Sequence, residues 1–192
     1  MENSAPTSIA FFTGFKVSDL LFLGEAALRT LLISVIAITS GSLLGILFGW
    51  LLAEFNRYLT SGLNLVLDIF RSVPLIIQLI LLYNFFPIVG IPLSPFVAGT
   101  IVLTIYTASL VAQVVRGGVE AVSLPMRRAA RSLGMTYFQD IRYVVFPIGL
   151  RAVLPAWTGV ALGVLKDSAL VSVLGYIELL RASQILVTRT QE

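Results

Sequence analysis

SVPLIIQLILLYNFFPIVGIPLSPFVAGTIVLTIYTASLVAQVV, from Ser72 to Val115, is a run of 44 residues without one Asp, Glu, Lys or Arg. A helix needs about 20 apolar residues to cross a bilayer, so this run predicts two crossings with a turn between them. Pro87, Gly90, Pro92 and Pro95 mark the turn, because Pro and Gly disfavour a continuing helix. Spans are expected at about 63–86 and 96–115. Upstream, Leu31 to Ala53 is uncharged, long enough for about 34 Å of helix, and predicts a span at 31–53. Residues 1–29 carry Glu2, Asp19 and Glu25 beside Lys16 and Arg29. They do not read as a cleavable leader and are expected to be external or interfacial. A fourth span is expected at 148–165, followed by a tail at 166–192. The ten uncharged residues from Ser168 to Ile177 have the length of a re-entrant or interfacial segment.

Composition agrees with this pattern. Of 192 residues, 57% are hydrophobic and 12% charged, and the mean hydropathy is +0.95. An average soluble domain carries about 25% charged residues, so an all-α protein within a lipid bilayer is expected. The chain has no Cys and no His. Disulfides, thiol nucleophiles, imidazole bases and thiolate or imidazole metal sites are therefore excluded, and no metal site is expected. Nothing in the charge pattern points to nucleic acid. Residues 116–151 hold six Arg against Glu120 and Asp140, whereas the Pro87–Pro95 turn holds no charge. Short cytoplasmic loops accumulate Lys and Arg, so the loop at 116–147 is expected in the cytoplasm and the N-terminus outside.

That loop has helical signals of its own. Ser123 is a plausible N-cap, and Pro125 fits a first helical turn. Met126, Ala129, Ala130 and Leu133 follow at i, i+3, i+4 and i+7, forming an apolar stripe flanked by Arg127, Arg128 and Arg131. Gly134 stands where a helix end wants a residue free to take positive φ. Thr136-x-x-Gln139 reads as a capping box opening a second short helix, which Pro147 should separate from the fourth span. Two readings follow: an amphipathic helix on lipid headgroups, or a knob laid into the groove of a soluble partner.

Arg128-Ala129-Ala130, then Gly134, then Val145-Phe146-Pro147, resembles the EAA loop of bacterial ABC importer permeases. Phe70 to Leu79 (FRSVPLIIQL) resembles the R-G-T-P-L-L-V-Q segment of the polar amino acid uptake branch of that family. Leu165 to Gly175 (LKDSALVSVLG) resembles its L-K-D-T-S-L-V-S-V-I-G segment, and Gly24, Thr30, Gly41 and Gly45 sit where its first span has G…T…G…G. The resemblance covers about Gly24 to Thr190. It implies a type I ABC importer-like helical bundle with four to five transmembrane helices per subunit, in a bacterial inner membrane. A fifth span would follow the segment matching Ser183 to Thr190. It also implies a second permease subunit, two ATP-binding cassette ATPases and an extracytoplasmic solute-binding protein. On this reading Met126, Arg128, Ala129, Ala130, Leu133 and Gly134 dock the ATPase. The chain departs from the family at Arg128, which replaces the acidic residue of the triplet, and at Ser123 to Met126, which replace P-K-G-Q. The charge pattern offered to the ATPase therefore differs.

A pathway can be sought among charges that lie deep in the spans. Arg71 either snorkels to the interface, pairs with Asp68 one turn earlier, or lines the pathway. Pro74 should kink its helix and free carbonyls, and Gln78 could bond substrate or a neighbouring helix. Lys166 and Asp167 form an interfacial ion pair or, with Ser168 and the hydroxyl-rich segment after it, face a cavity. A zwitterionic amino acid needs both signs of charge, which this pair offers. No G-x-x-x-x-G-K-S/T stretch is present, so ATP and Mg are expected on the partner ATPase and this chain is not expected to be an enzyme. The alternative to an ATP-driven importer is a secondary transporter or channel driven by an ion gradient, which would need repeated or paired broken spans.

Overall fold

The computed structural model describes residues 17–191, and within them every regular element is a helix. Helix α1 (Val17–Glu54) leads to α2 (Arg57–Ser72), α3 (Leu75–Ile88) and α4 (Pro95–Glu120). The short α5 (Leu124–Ser132) and α6 (Tyr137–Asp140) follow. A π-type turn (Ile141–Val145) then joins α6 to α7 (Phe146–Asp167), a 3₁₀ segment (Ser168–Leu174) extends α7, and α8 is Leu179–Gln191.

The centre of the bundle is the α1–α4 pair. Gly41, Gly45 and Gly49 recur every four residues along one face of α1. A Cβ at Gly41 would lie 2.5 Å from the Cβ of Thr107, and one at Gly45 2.6 Å from that of Val111. At Gly49 it would overlap Ala112 and Val115. In lipid, helices associate by close packing and not by escape from water, and small residues every fourth position let two backbones approach. The contacts advance in the same direction along both helices, and Ser40 and Thr104 share a hydrogen bond of 2.9 Å. Since α1 and α4 run parallel, the chain between them must cross back.

That return is α2 with α3, and the kink expected at Pro74 within 63–86 is a full break. The two are bent by 102° between Ser72 and Leu75. Pro74 has no N–H to donate and pushes the preceding residue out of the helical region, and Val73 takes φ −82°, ψ 127°. On one side of the bend Leu63 and Leu67 pack on Leu52, Phe48 and Ala112. On the other, Leu75 and Leu79 join Ile33, Ala37, Ala98, Val102, Leu103, Val164, Val171 and Leu174 in the main core. Gly90, at φ 84°, closes α3, with Ile91 N–H bonded to the Phe86 carbonyl at 3.0 Å.

Three further boundaries differ from expectation. Helix α1 does not begin near Leu31 but extends without a break to Val17. Of the external or interfacial segment expected at 1–29, residues 1–16 lie outside the described residues. The charges that limit the apolar run do not end the helix, because Glu25 and Arg29 pair along it at 2.6 Å and Arg189 of α8 holds Asp19 at 2.6 Å. Pro147 does not separate α6 from α7. It sits in the first turn of α7, after a widened turn in which Phe146 N–H reaches back to the Ile141 carbonyl, so the chain stays helical from Tyr137 to Leu174. The segment after Asp167, expected to be re-entrant or interfacial, continues directly from α7. Its 3₁₀ turns carry Val171 and Leu174 into the core, and Gly175 ends it at φ 89°. By length and composition three helical stretches can cross a membrane, or four with the bent pair as one span.

Candidate functional site

Helix α5 ends as its sequence dictates. Leu133 is its last half-turn, Gly134 takes φ 85°, and Gly134 and Met135 donate to the carbonyls of Arg131 and Ala130 at 3.0 and 3.3 Å. Those two bonds satisfy carbonyls that have no partner within the helix. Two residues on, Thr136 Oγ1 accepts from Gln139 N–H at 3.4 Å while Gln139 Oε1 accepts from Thr136 N–H at 2.8 Å, closing the capping box. Ser123 occupies the N-cap position of α5, but its hydroxyl makes no capping bond. The apolar stripe divides between two sides. Ala130 is buried, whereas Met126, Ala129 and Leu133 are exposed, Leu133 at 84%. Arg128 and Gly134 are exposed beside them, and so is Phe138, which the stripe did not include.

The docking role that the resemblance implies makes Gly134 testable. A Cβ there meets no atom within 4 Å, so Gly134→Val acts through strain at positive φ alone, about 1–3 kcal/mol. The variant should insert normally but lose the fixed angle between α5 and α6. Substrate-stimulated ATPase activity of the reconstituted complex should fall, and wild-type stimulation would refute this reading of the glycine.

Arg127, which the sequence reading left on an outer face, turns inward. Its Nη1 and Nη2 donate to the Glu54 carboxylate at 2.7 and 3.4 Å, and its Nε donates to Asp140 Oδ2 at 3.0 Å. The Tyr137 hydroxyl donates to Glu54 Oε2 at 3.0 Å. Arg131 lies 3.9 Å from Asp140 and over the Tyr137 ring. The hydrogen bond with Glu54 raises the guanidinium pKa further, against the opposing effect of burial, so Arg127 stays charged. Two sequence signals marked this cluster: Glu54 is the lone charge between Thr30 and Phe55, and Asp140 is one of only two acids among six arginines.

The break at Pro74 is closed by Gln78. In an unbroken helix the Phe70 carbonyl would accept from residue 74, which as proline has no N–H. Gln78 Nε2 supplies that donor at 2.7 Å and also bonds the Val73 carbonyl at 2.8 Å. The carbonyl freed by Pro74 is thus occupied, and the Gln78 amide nitrogen is spent on its own helix ends. Its Oε1 is buried without a partner. Arg71 pairs with Asp68, whose other oxygen accepts from Asn64 at 2.7 Å, and Gln113 of α4 reaches Asn64 at 3.4 Å. Asn64 and Asp68 line a cavity of about 600 Å³ with Thr60, Arg116 and Glu120. Of this polar track only Arg71 and Asp68 were singled out from sequence.

Lys166 and Asp167 close α7, and among the described residues no ion pair joins them to each other or to a third group. Lys166 is exposed, and it lines a cavity of about 560 Å³ with Thr30 and Glu178. Ser168 is fully buried, its hydroxyl donating to the Leu165 carbonyl at 2.7 Å. The structure does bring the two motif segments together: Leu75 and Leu79, beside Pro74 and Gln78, share a core with Val164 and Val171, which flank Lys166 and Asp167. Arg71 stays apart, on the α2–α4 track.

Residues 41–189 match a family described as the binding-protein-dependent transport system inner membrane component. A Rickettsia conorii protein that carries the name of a glutamine transport system permease is 33% identical over 172 residues, 89% of this chain and 79% of that one. The glutamine transport system permease protein of Escherichia coli (strain K12) is 30% identical over 166 residues, covering 85% of this chain and 75% of that one. Among solved structures, an amino acid ABC transporter crystallised with histidines superposes with a TM-score of 0.82 at 29% identity, over 100% of this chain and 86% of that one.

Proposed function

We propose, for a chain that belongs to the family of inner membrane components of binding-protein-dependent transport systems, that its cargo is a polar amino acid. As a family member it is a multi-pass inner membrane protein and the permease subunit of an ATP-driven importer. Family membership displaces the ion-gradient alternative. Two copies, or this chain and a homologous one, enclose the pathway. Two ATPase subunits, which bind the ATP and Mg, dock on the cytoplasmic α5–α6 loops, and an external solute-binding protein delivers the cargo. The observation that carries this reading is the α5–Gly134–α6 hairpin. It holds Leu133, Phe138, Met126 and Arg128 exposed at the same end of the bundle as Glu54. The pathway reading rests on Lys166 and Asp167, with Arg71, Pro74, Gln78 and Ser168 as further or supporting positions.

Orientation and activity test it together. With no native Cys, single cysteines at positions 92 and 128 report sidedness: Pro92→Cys should label on intact cells and Arg128→Cys only after permeabilisation. The reverse pattern would overturn the topology. The complex purified from its own membranes and reconstituted should take up labelled glutamine or another polar amino acid only with ATP. Uptake driven by an ion gradient without ATP would overturn the importer reading.

A further inference from the structure

Glu54 is the last residue of α1, Arg127 lies in α5 and Asp140 closes α6 at the root of α7. Their side chains are 13%, 16% and 0% exposed. One guanidinium, through its Nη and Nε donors, therefore ties three elements together. The neighbouring residue, Arg128, is exposed. Displacement of α5 by a partner must move α1 and α7, or break a buried charge pair, which is costly when one charge is left alone. Helix α1 is locked in turn to α4 through Gly41, Gly45 and Gly49. The planar arginine fork suits such a bridge, because it presents donors in several fixed directions where a lysine offers one compact charge.

We propose that Arg127 is the positioning residue that passes movement of the ATPase-docking helix to α1 and α7. Cutting its arm to Glu54 then uncouples ATP hydrolysis from import. This rests on the reading of α5 as the docking element. In Glu54→Leu the arginine keeps Asp140 and is not stranded. In Arg127→Lys the charge remains but the bridge across two carboxylates does not.

The wild-type and variant complexes are reconstituted, and three quantities are measured: ATPase retained on purification, basal hydrolysis, and amino acid imported per ATP hydrolysed. Both variants should retain the ATPase and its basal hydrolysis, while import per ATP falls about fivefold or more, the lower range of coupling between distant sites. The double variant Glu54→Leu/Arg127→Met should be no worse than the singles, since both act on one link. A merely structural role would lower complex yield and leave the ratio unchanged. An unchanged ratio in intact complexes overturns the proposal. So does loss of the ATPase from both variants, which would make the cluster a docking element. If Glu54→Leu does not assemble, Arg127→Lys decides. Failure of the wild-type complex to import with ATP would instead sink the importer reading itself.

Discussion

Gly45→Leu is expected to leave almost no folded permease. The Cβ alone would stand 2.6 Å from the Cβ of Val111 and 3.0 Å from the backbone oxygen of Ala108. A flexible side chain can turn away from an intruder, but the backbone of a packed helix can yield only by moving the helix. Overpacking a core costs about 1–3 kcal/mol when neighbours adjust. Here adjustment means separating α1 from α4, and with it the contacts at Gly41 and Gly49 that share the same face. Each 1.4 kcal/mol is a factor of about ten in the folding equilibrium constant, so that constant should fall by up to roughly a hundredfold and the folded yield with it. Gly24→Leu is the control, since a Cβ there meets nothing within 4 Å. The measurement is the monodisperse, protease-resistant fraction after detergent extraction. Equal yields from the two variants would show that the α1–α4 seam does not hold the bundle together.

Features governed by a few consecutive residues were legible in the sequence. The Gly134 turn, the Thr136–Gln139 box and the Arg71–Asp68 pair all appear where local rules put them. Charge, by contrast, reported where the apolar surface ends and not where helices end. It therefore hid the extension of α1 to Val17, whose charged groups are paired along the helix and to α8. Prolines were legible only in part. Pro74 bends its chain far more sharply than a kinked span, because Gln78 stabilises the broken ends, whereas Pro147 ends nothing, because a widened turn absorbs it. The Arg127 cluster was beyond local rules altogether: its partner Glu54 lies 73 residues away. Helical periodicity placed Arg127 off the apolar stripe but could not say that this face meets the end of another helix.

Lys166→Met and Asp167→Asn should each cut transport more than they cut assembly, and the double variant should recover nothing. If the two charges simply neutralised one another, removing both would be nearly harmless while removing one would not. The structure shows no ion pair between them, nor from either to a third described residue. Two opposite charges at the end of α7 that enter no ion pair among the described residues suit a ligand that carries both signs, and an amino acid zwitterion is one. A hydrogen bond to a charged group contributes about 1.5–3 kcal/mol, so losing one should lower apparent substrate affinity roughly ten- to hundredfold. Loss of the second should not reverse that. Arg71→Met provides the contrast. Its partner Asp68 keeps Asn64, and because Arg71 lies on the α2–α4 track, its removal should have a smaller effect on affinity. Uptake of labelled amino acid over a concentration series, normalised to assembled complex, gives KM and maximal rate for each variant. Recovery in the Lys166→Met/Asp167→Asn double variant would return the pair to an ordinary interfacial role. A rise in KM shared by both singles and undiminished in the double would place the cargo against the end of α7.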